Sequence, residues 1–376
     1  MKISLLTDEI AQGLMDGAFG APGTPFLTAR GLVGKYGVSL DSAMGILSSL
    51  RERRLIRLDG NRYYVVTGFA SSSTPYGERL SRTRRNFLGM IVNSISSPFF
   101  SSLAKELSDR AAQAGYPLLI ADTGNHPDKD SALIDRFVEN GAVGIFAAPS
   151  IAVDHGIYAC CPLPLVSLGR DLGITNCDVV TADNHAAGRQ VADHLWEIGC
   201  TRFAYVGIRR YLREDPRLSG YAEQLRRHGA DLMNDAVLAA DHQTDGGLDY
   251  EEISGLLGSL LHRIPEGEKL GIFCYHDLLA TYTLQRVKHY SHLSLGRFRI
   301  PEDVAVVGFD DLPIASAIVP PLTTVQYQYA AIAEAALSRM LDYMENPAHI
   351  PEKRVISSSL CIRGSSVKID TETSVQ

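Results

Sequence analysis

From Phe87 onward, short unbroken apolar runs alternate with amphipathic stretches of helical period, and this alternation constrains the chain more than any other feature. "FLGMIV" opens the series and is followed by helical text from Leu103 to Ala114. "PLLIAD" follows, then a helix from Ser131 to Asn140, then "AVGIFAAP", "PLVSLG" and "VVTAD". A helix from Gly188 to Ile198 leads to "RFAYVG", and "KLGIFCYHD" and "VAVVGFDD" come later, each before further helical text. Runs apolar at every position are strands buried on both faces, and strands separated by helices pair in parallel. The expected fold class is α/β, a doubly wound parallel sheet with both faces covered. About 280 residues exceed what one such sheet needs, so two lobes are expected. Ligands of such sheets bind beyond the carboxyl ends of the strands.

The first seventy residues read differently. Leu5, Leu6, Ile10 and Leu14 mark one side of a helix from Ile3 to about Met15. Thr28 caps a second helix ending near Tyr36, and Gly37 turns the chain. Ser39 caps a third helix, whose Ala43, Ile46, Leu47 and Leu50 fall on one stripe. Leu55, Ile56 and Leu58 lead into "DGN", a hairpin turn signal, and "RYYVV" returns as a strand. Three helices and a hairpin spell a small winged helix-turn-helix over residues 1–67. Residues 68–86, rich in Ser, Thr, Gly and Pro before Arg79, Arg82, Arg84 and Arg85, form a linker. Residues 87–366 form the two-lobed ligand-binding and dimerisation domain, and residues 367–376 a disordered tail.

The whole chain carries a net charge of -7, which alone argues against nucleic acid. Its distribution argues otherwise. Residues 1–86 hold 12 Lys and Arg against 7 Asp and Glu, whereas the remainder holds 24 against 36. A basic front on an acidic body suits one end that meets phosphate. Arg30, Lys35, Arg57 and Arg62 can supply the cations. Ser39 and Ser42 can bond phosphate or base edges, as can Thr28 and Asn61 beside them. Leu40 can touch a thymine methyl. Asp41 either accepts from cytosine N4 or serves only as a favourable charge at a helix start.

The six cysteines, Cys160, Cys161, Cys177, Cys200, Cys274 and Cys361, show no CxxC spacing, so reduced, packed thiols are expected rather than a disulfide framework or zinc site. No metal and no cofactor is expected. The motifs GxGxxG, GxxxxGK[ST] and GxSxG are absent, which speaks against an enzyme. No uncharged apolar run of about 18 residues occurs, and acids at positions 8 and 9 interrupt any signal-like start, so a cytoplasmic protein without a membrane span is expected.

The front segment resembles the GntR-type DNA-binding domain. "LTAR" stands where that family opens its second helix, with Thr28 for a serine and Arg30 for the arginine. Ser39-Leu40-Asp41-Ser42 stands at the recognition-helix start, with Leu40 for the usual arginine. The body resembles the lactose-repressor (LacI/GalR) regulators. The similarity lies in "SISSPFFSSL", "VVTADNHAAGRQVADHLWEIGCTRFAYVG", "RLSGYAEQL", "IPEDVAVVGFDDLP" and "PPLTTVQ", in order over about residues 86–365. That resemblance implies two periplasmic-binding-protein-like lobes, joined by three crossovers, closing around a small molecule. It implies ligand-binding roles for Phe99, Phe100, Ser150, Arg217, His276, Asp277 and Tyr327, with His276 replacing the usual asparagine. Aromatic rings would cover sugar C–H faces, and Arg217 and Asp277 would bond hydroxyls. The alternative for Phe99 and Phe100 is core, and Asp277 can cap the following helix as well as bind ligand. Asp310 and Asp311 are read as structural or lobe-interface acids rather than ligand contacts; Arg170 can reach the cleft or make an ion pair. The implied function is a homodimeric regulator that binds double-stranded operator DNA and responds to a sugar or related effector. The alternative is a periplasmic-type solute-binding protein without a DNA role.

Overall fold

The computed structural model describes residues 3–15, 17–20, 23–53, 55–60, 62–66, 86–150, 153–232, 236–240, 250–294, 296–346 and 348–368. The chain divides into two compact units, Met1–Asn86 and Phe87–Gln376.

In the first unit, helices α1 (Ile3–Met15), α2 (Ala29–Tyr36) and α3 (Leu40–Glu52) precede the strands β1 (Ile56–Asp59) and β2 (Arg62–Val65). Local chemistry sets the boundaries. The Thr28 hydroxyl accepts the Gly31 N–H at 3.1 Å at the start of α2. Gly37 ends that helix in the left-handed region, at φ 66°, where a side chain would be strained. Ser39 then accepts the Ser42 N–H at 3.2 Å and starts α3. β1 and β2 pair antiparallel from Ile56–Val65 to Asp59–Arg62. Leu6, Ile10, Leu14, Leu32, Ala43, Ile46, Leu47, Leu50, Ile56 and Val65 close one small core. Two expected core positions lie outside it. Leu5 is 61% exposed, because the buried stripe of α1 runs 6, 10, 14, and Leu58 faces outward on β1. Asn61, most of the 68–86 linker and residues 369–376 lie outside the described residues.

The second unit contains two six-stranded sheets. The strands are β3 (Phe87–Val92), β4 (Leu118–Asp122), β5 (Ala142–Ala148), β6 (Leu165–Leu168), β7 (Asp178–Ala182), β8 (Arg202–Ile208), β9 (Val237–Ala240), β10 (Leu270–Cys274), β11 (Val304–Asp310), β12 (Thr323–Gln326), β13 (Lys353–Ile356) and β14 (Ser359–Cys361). The helices are α4 (Pro98–Gln113), α5 (Pro127–Glu139), the one-turn α6 (Gly156–Ala159), α7 (Asn184–Glu197), α8 (Pro216–Arg227), α9 (Tyr250–His262), α10 (Asp277–Leu293), the short α11 (Pro313–Ala317) and α12 (Tyr329–Glu345). The first sheet runs β13-β7-β6-β5-β3-β4, all parallel. The second runs β14-β12-β11-β10-β8-β9, parallel except for β14.

The chain crosses between lobes three times: after β7 through α7, after β12 through α12, and between β13 and β14. One buried cluster runs through both lobes, from Leu88, Leu103 and Leu107 to Phe203, Phe273, Phe309 and Val325. Separate cores line the other face of each sheet's centre, around Ile134, Tyr158 and Leu172 in one lobe and around Leu257, Ile272 and Val306 in the other. The edge strand β4, expected buried on both faces, leaves Leu119 and Ile120 exposed, because among the described residues no strand pairs beyond it at that border. Three helices start a turn earlier than the periodicity suggests: α4 at Pro98, α5 at Pro127 and α7 at Asn184. Proline fits the first helical position because its missing N–H has no partner to lose there. Asp183 accepts the Ala186 N–H at 2.9 Å and caps α7.

Candidate ligand cleft and nucleic-acid interface

The carboxyl ends of the parallel strands deliver the polar side chains of the second unit. Arg170 follows β6, Asn184 follows β7, Tyr211 follows β8, and Tyr275 and His276 follow β10. Asp310 ends β11, and Tyr327 follows β12.

Arg217 is the hub. Asp215 accepts its N–H at 2.9 Å as the cap of α8, and the Tyr205 hydroxyl fixes the other Asp215 oxygen at 2.5 Å. The guanidinium lies 3.6 Å over the Phe309 ring and 4.5 Å over Tyr275. It donates from Nε to Asn184 Oδ1 at 3.1 Å and from Nη1 to the Tyr275 carbonyl. Burial opposes its charge, while Tyr275, Asp310 and Asp215 around it favour that charge and prevail. The α7–α8 crossing makes this placement possible. A Cβ on Gly188 would overlap the Arg217 carbonyl and stand 2.8 Å from the Tyr221 nitrogen, so glycine alone fits that approach.

A second group of rings meets nearby. Phe99, in the first turn of α4, packs on Phe100 at 5.0 Å, on Tyr327 at 4.7 Å and on Tyr329 at 5.7 Å. Tyr327 and Tyr329 lie 5.0 Å apart. Tyr211 stacks on Tyr275 at 5.5 Å with planes 2° apart, and Arg170 of the first lobe lies 5.8 Å from the Tyr211 ring.

Three polar atoms in this neighbourhood are buried and have no hydrogen-bond partner: Asp310 Oδ1, Tyr327 Oη and Tyr329 Oη. Burial drives the Asp310 carboxyl well above the usual carboxylate range, and Arg217 opposes that shift. Burial likewise pushes both phenols up, with Arg217 pulling the other way in each. Asp310 also adopts φ 108°, rarely populated by a side-chain-bearing residue. A buried polar atom without a partner costs about 1–3 kcal/mol. Strain and unmet hydrogen-bonding capacity on one residue are the physical marks of a functional position.

The residues expected from the sequence separate into two groups. Phe99 touches both Phe100 and Tyr327, and Arg217 and His276 meet through Tyr275, whose ring lies 5.7 Å from the imidazole. His276 also caps α10, accepting the Leu279 N–H on Nδ1 at 3.1 Å. Ser150 and Asp277 are fully buried in the chain's own networks. Ser150 shares a 2.8 Å hydrogen bond with Thr123 and donates its N–H to Asp130. Asp277 accepts the Leu312 N–H at 2.7 Å and the Thr324 hydroxyl at 2.6 Å, one on each oxygen, so it ties β12 and the β11–α11 turn to α10. Asp311 is held by Arg363 at 2.7 Å, as a structural acid.

Tyr275, Tyr329, Tyr211 and Asp310 join the cluster without having been expected as ligand residues. The available signal was position: each directly follows or ends a strand, or opens the helix beyond one. Two open surface hollows lie apart from the cluster, one lined by Arg110, Glu334 and Leu341, the other by Ser131, Asp154 and Pro162.

In the first unit, Arg30, Arg57 and Arg62 are exposed, as are Thr28, Ser39, Leu40 and Asp41, with Ser42 half-buried. Ser39 and Ser42 share a 2.8 Å hydrogen bond at the α3 start. The Lys35 ammonium lies 4.8 Å over Phe19 and Arg57 lies 6.0 Å from Tyr64. Among the described residues no group of three metal-ligating side chains gathers, and no helix is long and apolar enough to cross a membrane.

Residues 192–366 match the family described as a periplasmic binding protein-like domain. The HTH-type transcriptional repressor CytR of Escherichia coli (strain K12) is 27% identical over 297 residues, 77% of this chain and 82% of CytR. The HTH-type transcriptional regulator DegA of Bacillus subtilis (strain 168) is 25% identical over 267 residues, 69% of this chain and 75% of DegA. A solved periplasmic binding protein/LacI transcriptional regulator from Alkaliphilus metalliredigens QYMF, complexed with D-xylulofuranose, superposes with a TM-score of 0.62. It is 21% identical, and the match covers 75% of this chain and 99% of that one, a likeness of fold.

Proposed function

We propose that this chain, whose body is a two-lobed periplasmic-binding-protein-like domain similar to LacI/GalR regulators, is a DNA-binding transcription repressor controlled by a small polyhydroxylated effector. The single observation that carries the effector reading is the buried set Asp310, Tyr327 and Tyr329, with unpartnered oxygens gathered around Arg217 and roofed by Phe99. Aromatic faces suit the C–H surface of a sugar ring, and the oxygens suit its hydroxyl rim. An analogue lacking those hydroxyls leaves the same oxygens unpaired and is rejected. Arg217, Asp310, Tyr327, Phe99 and His276 form the core of the proposed site, and Asp277 supports it from behind through Leu312 and Thr324.

Residues 1–67 are read as a GntR-like winged helix-turn-helix. α3 is its recognition helix and the β1–β2 hairpin its wing. Arg30, Arg57 and Arg62 hold phosphate, and the Ser39–Ser42 end meets the duplex. Residues 68–86 link it to the effector domain at 87–366. Two copies would bind a two-fold symmetric operator. A coupling of about 1–3 kcal/mol between effector and operator changes operator affinity about 5- to 150-fold.

A thermal-shift screen against monosaccharides and nucleosides tests the effector half. A true effector at about 100 times its Kd adds about 2.7 kcal/mol of stability. Gel shifts with and without that effector test the other half. A chain that binds sugar but shifts no duplex is a solute-binding protein, and the regulator reading fails.

A further inference from the structure

The outward face of α3 is made of Leu40, Asp41, Met44, Gly45 and Ser48, while Ala43, Ile46, Leu47 and Leu50 are buried. Leu40 is 54% exposed and Met44 57%. Four residues apart on a helix, they stand side by side on one surface. No lysine or arginine interrupts this face before Arg51, in the last turn. Gly45 lies between them and the rest of the helix, and a Cβ there would meet nothing within 4 Å. The fold therefore gains nothing from that glycine, which weakens a helix interior relative to alanine. What it leaves is a shallow spot beside two exposed apolar side chains.

The surroundings have the opposite character. Arg30, Arg57 and Arg62 are exposed on the neighbouring helix and hairpin, and residues 1–86 carry an excess of positive charge on an otherwise acidic chain. An apolar strip on a small domain that also exposes cations is complementary to a DNA major groove, whose walls are phosphate and whose floor carries the thymine methyl groups. It is poorly matched to guanine, whose commonest partner is a bidentate arginine or lysine.

We propose that Leu40 and Met44 determine operator specificity by packing on thymine 5-methyl groups in the major groove, with Gly45 allowing the helix to approach the base edges closely. The inference rests on the DNA-binding reading above and adds how sequence is read. Affinity comes from the flanking arginines and discrimination from methyl contacts, so sites for this head hold thymine at the positions that α3 covers.

The test uses the full chain. A duplex library randomised over about two helical turns is enriched for binding. The winning duplex is remade with deoxyuridine replacing single thymines, which removes one methyl and nothing else. At one or two positions the loss of that methyl is expected to weaken binding about fourfold, the equivalent of about 0.8 kcal/mol. Leu40→Ala should abolish the penalty at one such position and Met44→Ala at another, leaving the salt dependence intact. Both side chains are exposed, so thermal melting should confirm unchanged folding. Gly45→Ala should melt no lower than the parent yet bind the duplex more weakly. If deoxyuridine costs nothing at any thymine, or its cost survives both alanine variants, the methyl readout is wrong. If Leu40→Ala and Met44→Ala leave duplex binding untouched, the strip belongs to a protein partner and the proposal falls. If no duplex is enriched at all, the DNA-binding reading itself fails, an outcome distinct from the others.

Discussion

Asp310 holds a carboxyl in a place where neither its backbone nor its side chain is at ease, with φ at 108° and one oxygen unpaired in the interior. Replacing it with asparagine keeps the shape but exchanges a carboxyl oxygen for an amide nitrogen, so the buried position no longer offers the same donor and acceptor. Effector affinity is expected to fall about tenfold or more, at roughly 1–3 kcal/mol for a buried polar group left without its partner. Titration calorimetry reads this. Arg217→Ala should lose effector binding while duplex affinity stays near the parent value, since the change lies in the second unit; equal loss of both in gel shifts would indicate misfolding. Asp277 supplies a different test. Burial raises its carboxyl to about 7, against the pull of Thr324 and the Leu312 N–H. A carboxyl raised by folding stabilises the fold when protonated, so the contribution is complete below about pH 4 and is lost as pH rises through about 7. The span is worth on the order of 4 kcal/mol. Urea unfolding should therefore show stability falling from about pH 4 to about pH 7 and levelling off above, and Asp277→Asn should flatten that slope.

At this scale the sequence was only partly legible. Phe99, Arg217 and Tyr327, which the fold brings into the candidate cluster, stood out in the sequence because they sit in recognisable motifs beyond strands. Asp310 could not be separated from Asp311, because two adjacent acids look alike until the backbone turns one toward Arg217 and the other toward Arg363. Ser150 shows the converse: its position after β5 suggested a ligand contact, yet Thr123 and Asp130, distant in sequence, engage it.

Among the elements, the close pair α7 and α8 matters most for the site. Gly188 faces the Arg217 backbone, and Gly220 faces His185, so each helix lies in the other's glycine notch. Gly188→Ala must push the helices apart. A cost of about 1–3 kcal/mol is expected from such overpacking, with a fall in effector affinity as Arg217 shifts away from Asn184. Melting temperature and calorimetry together check both effects. Strands built on all-apolar runs flanked by turns were legible, because such runs have one reading in an α/β chain, whereas β9, β13 and β14 were not expected. Helix starts were less so. The apolar stripe of α4 begins at Leu103, but the backbone is already helical at Pro98, where Phe99 packs on Tyr327 and Tyr329 and carries no core period. The same mismatch explains Leu5 of α1, apolar by type yet outside its stripe.

On the scale of the whole molecule, the split at residues 86 and 87 implies separable activities. A fragment starting at Phe87 has its own cores and both sheets, so it should fold cooperatively and keep its effector-induced thermal shift. It should shift no duplex in a gel. Retention of duplex binding by that fragment would place the DNA contact in the wrong unit. The two-lobed plan was legible from length and alternation alone. The order of strands within each sheet was not, because β13 and β14 join opposite lobes only two residues apart.

That late exchange has a consequence for how the protein is made. β13 completes the first sheet against β7, yet it is synthesised only after the strands β8 to β12 of the other lobe. A ribosome that has delivered everything up to Ile350 has produced two sheets, each with an unfinished border. Neither sheet has all its strands until β13 and β14 have been made, and a stop before Lys353 would leave both with an unpaired border open to proteases and to other copies.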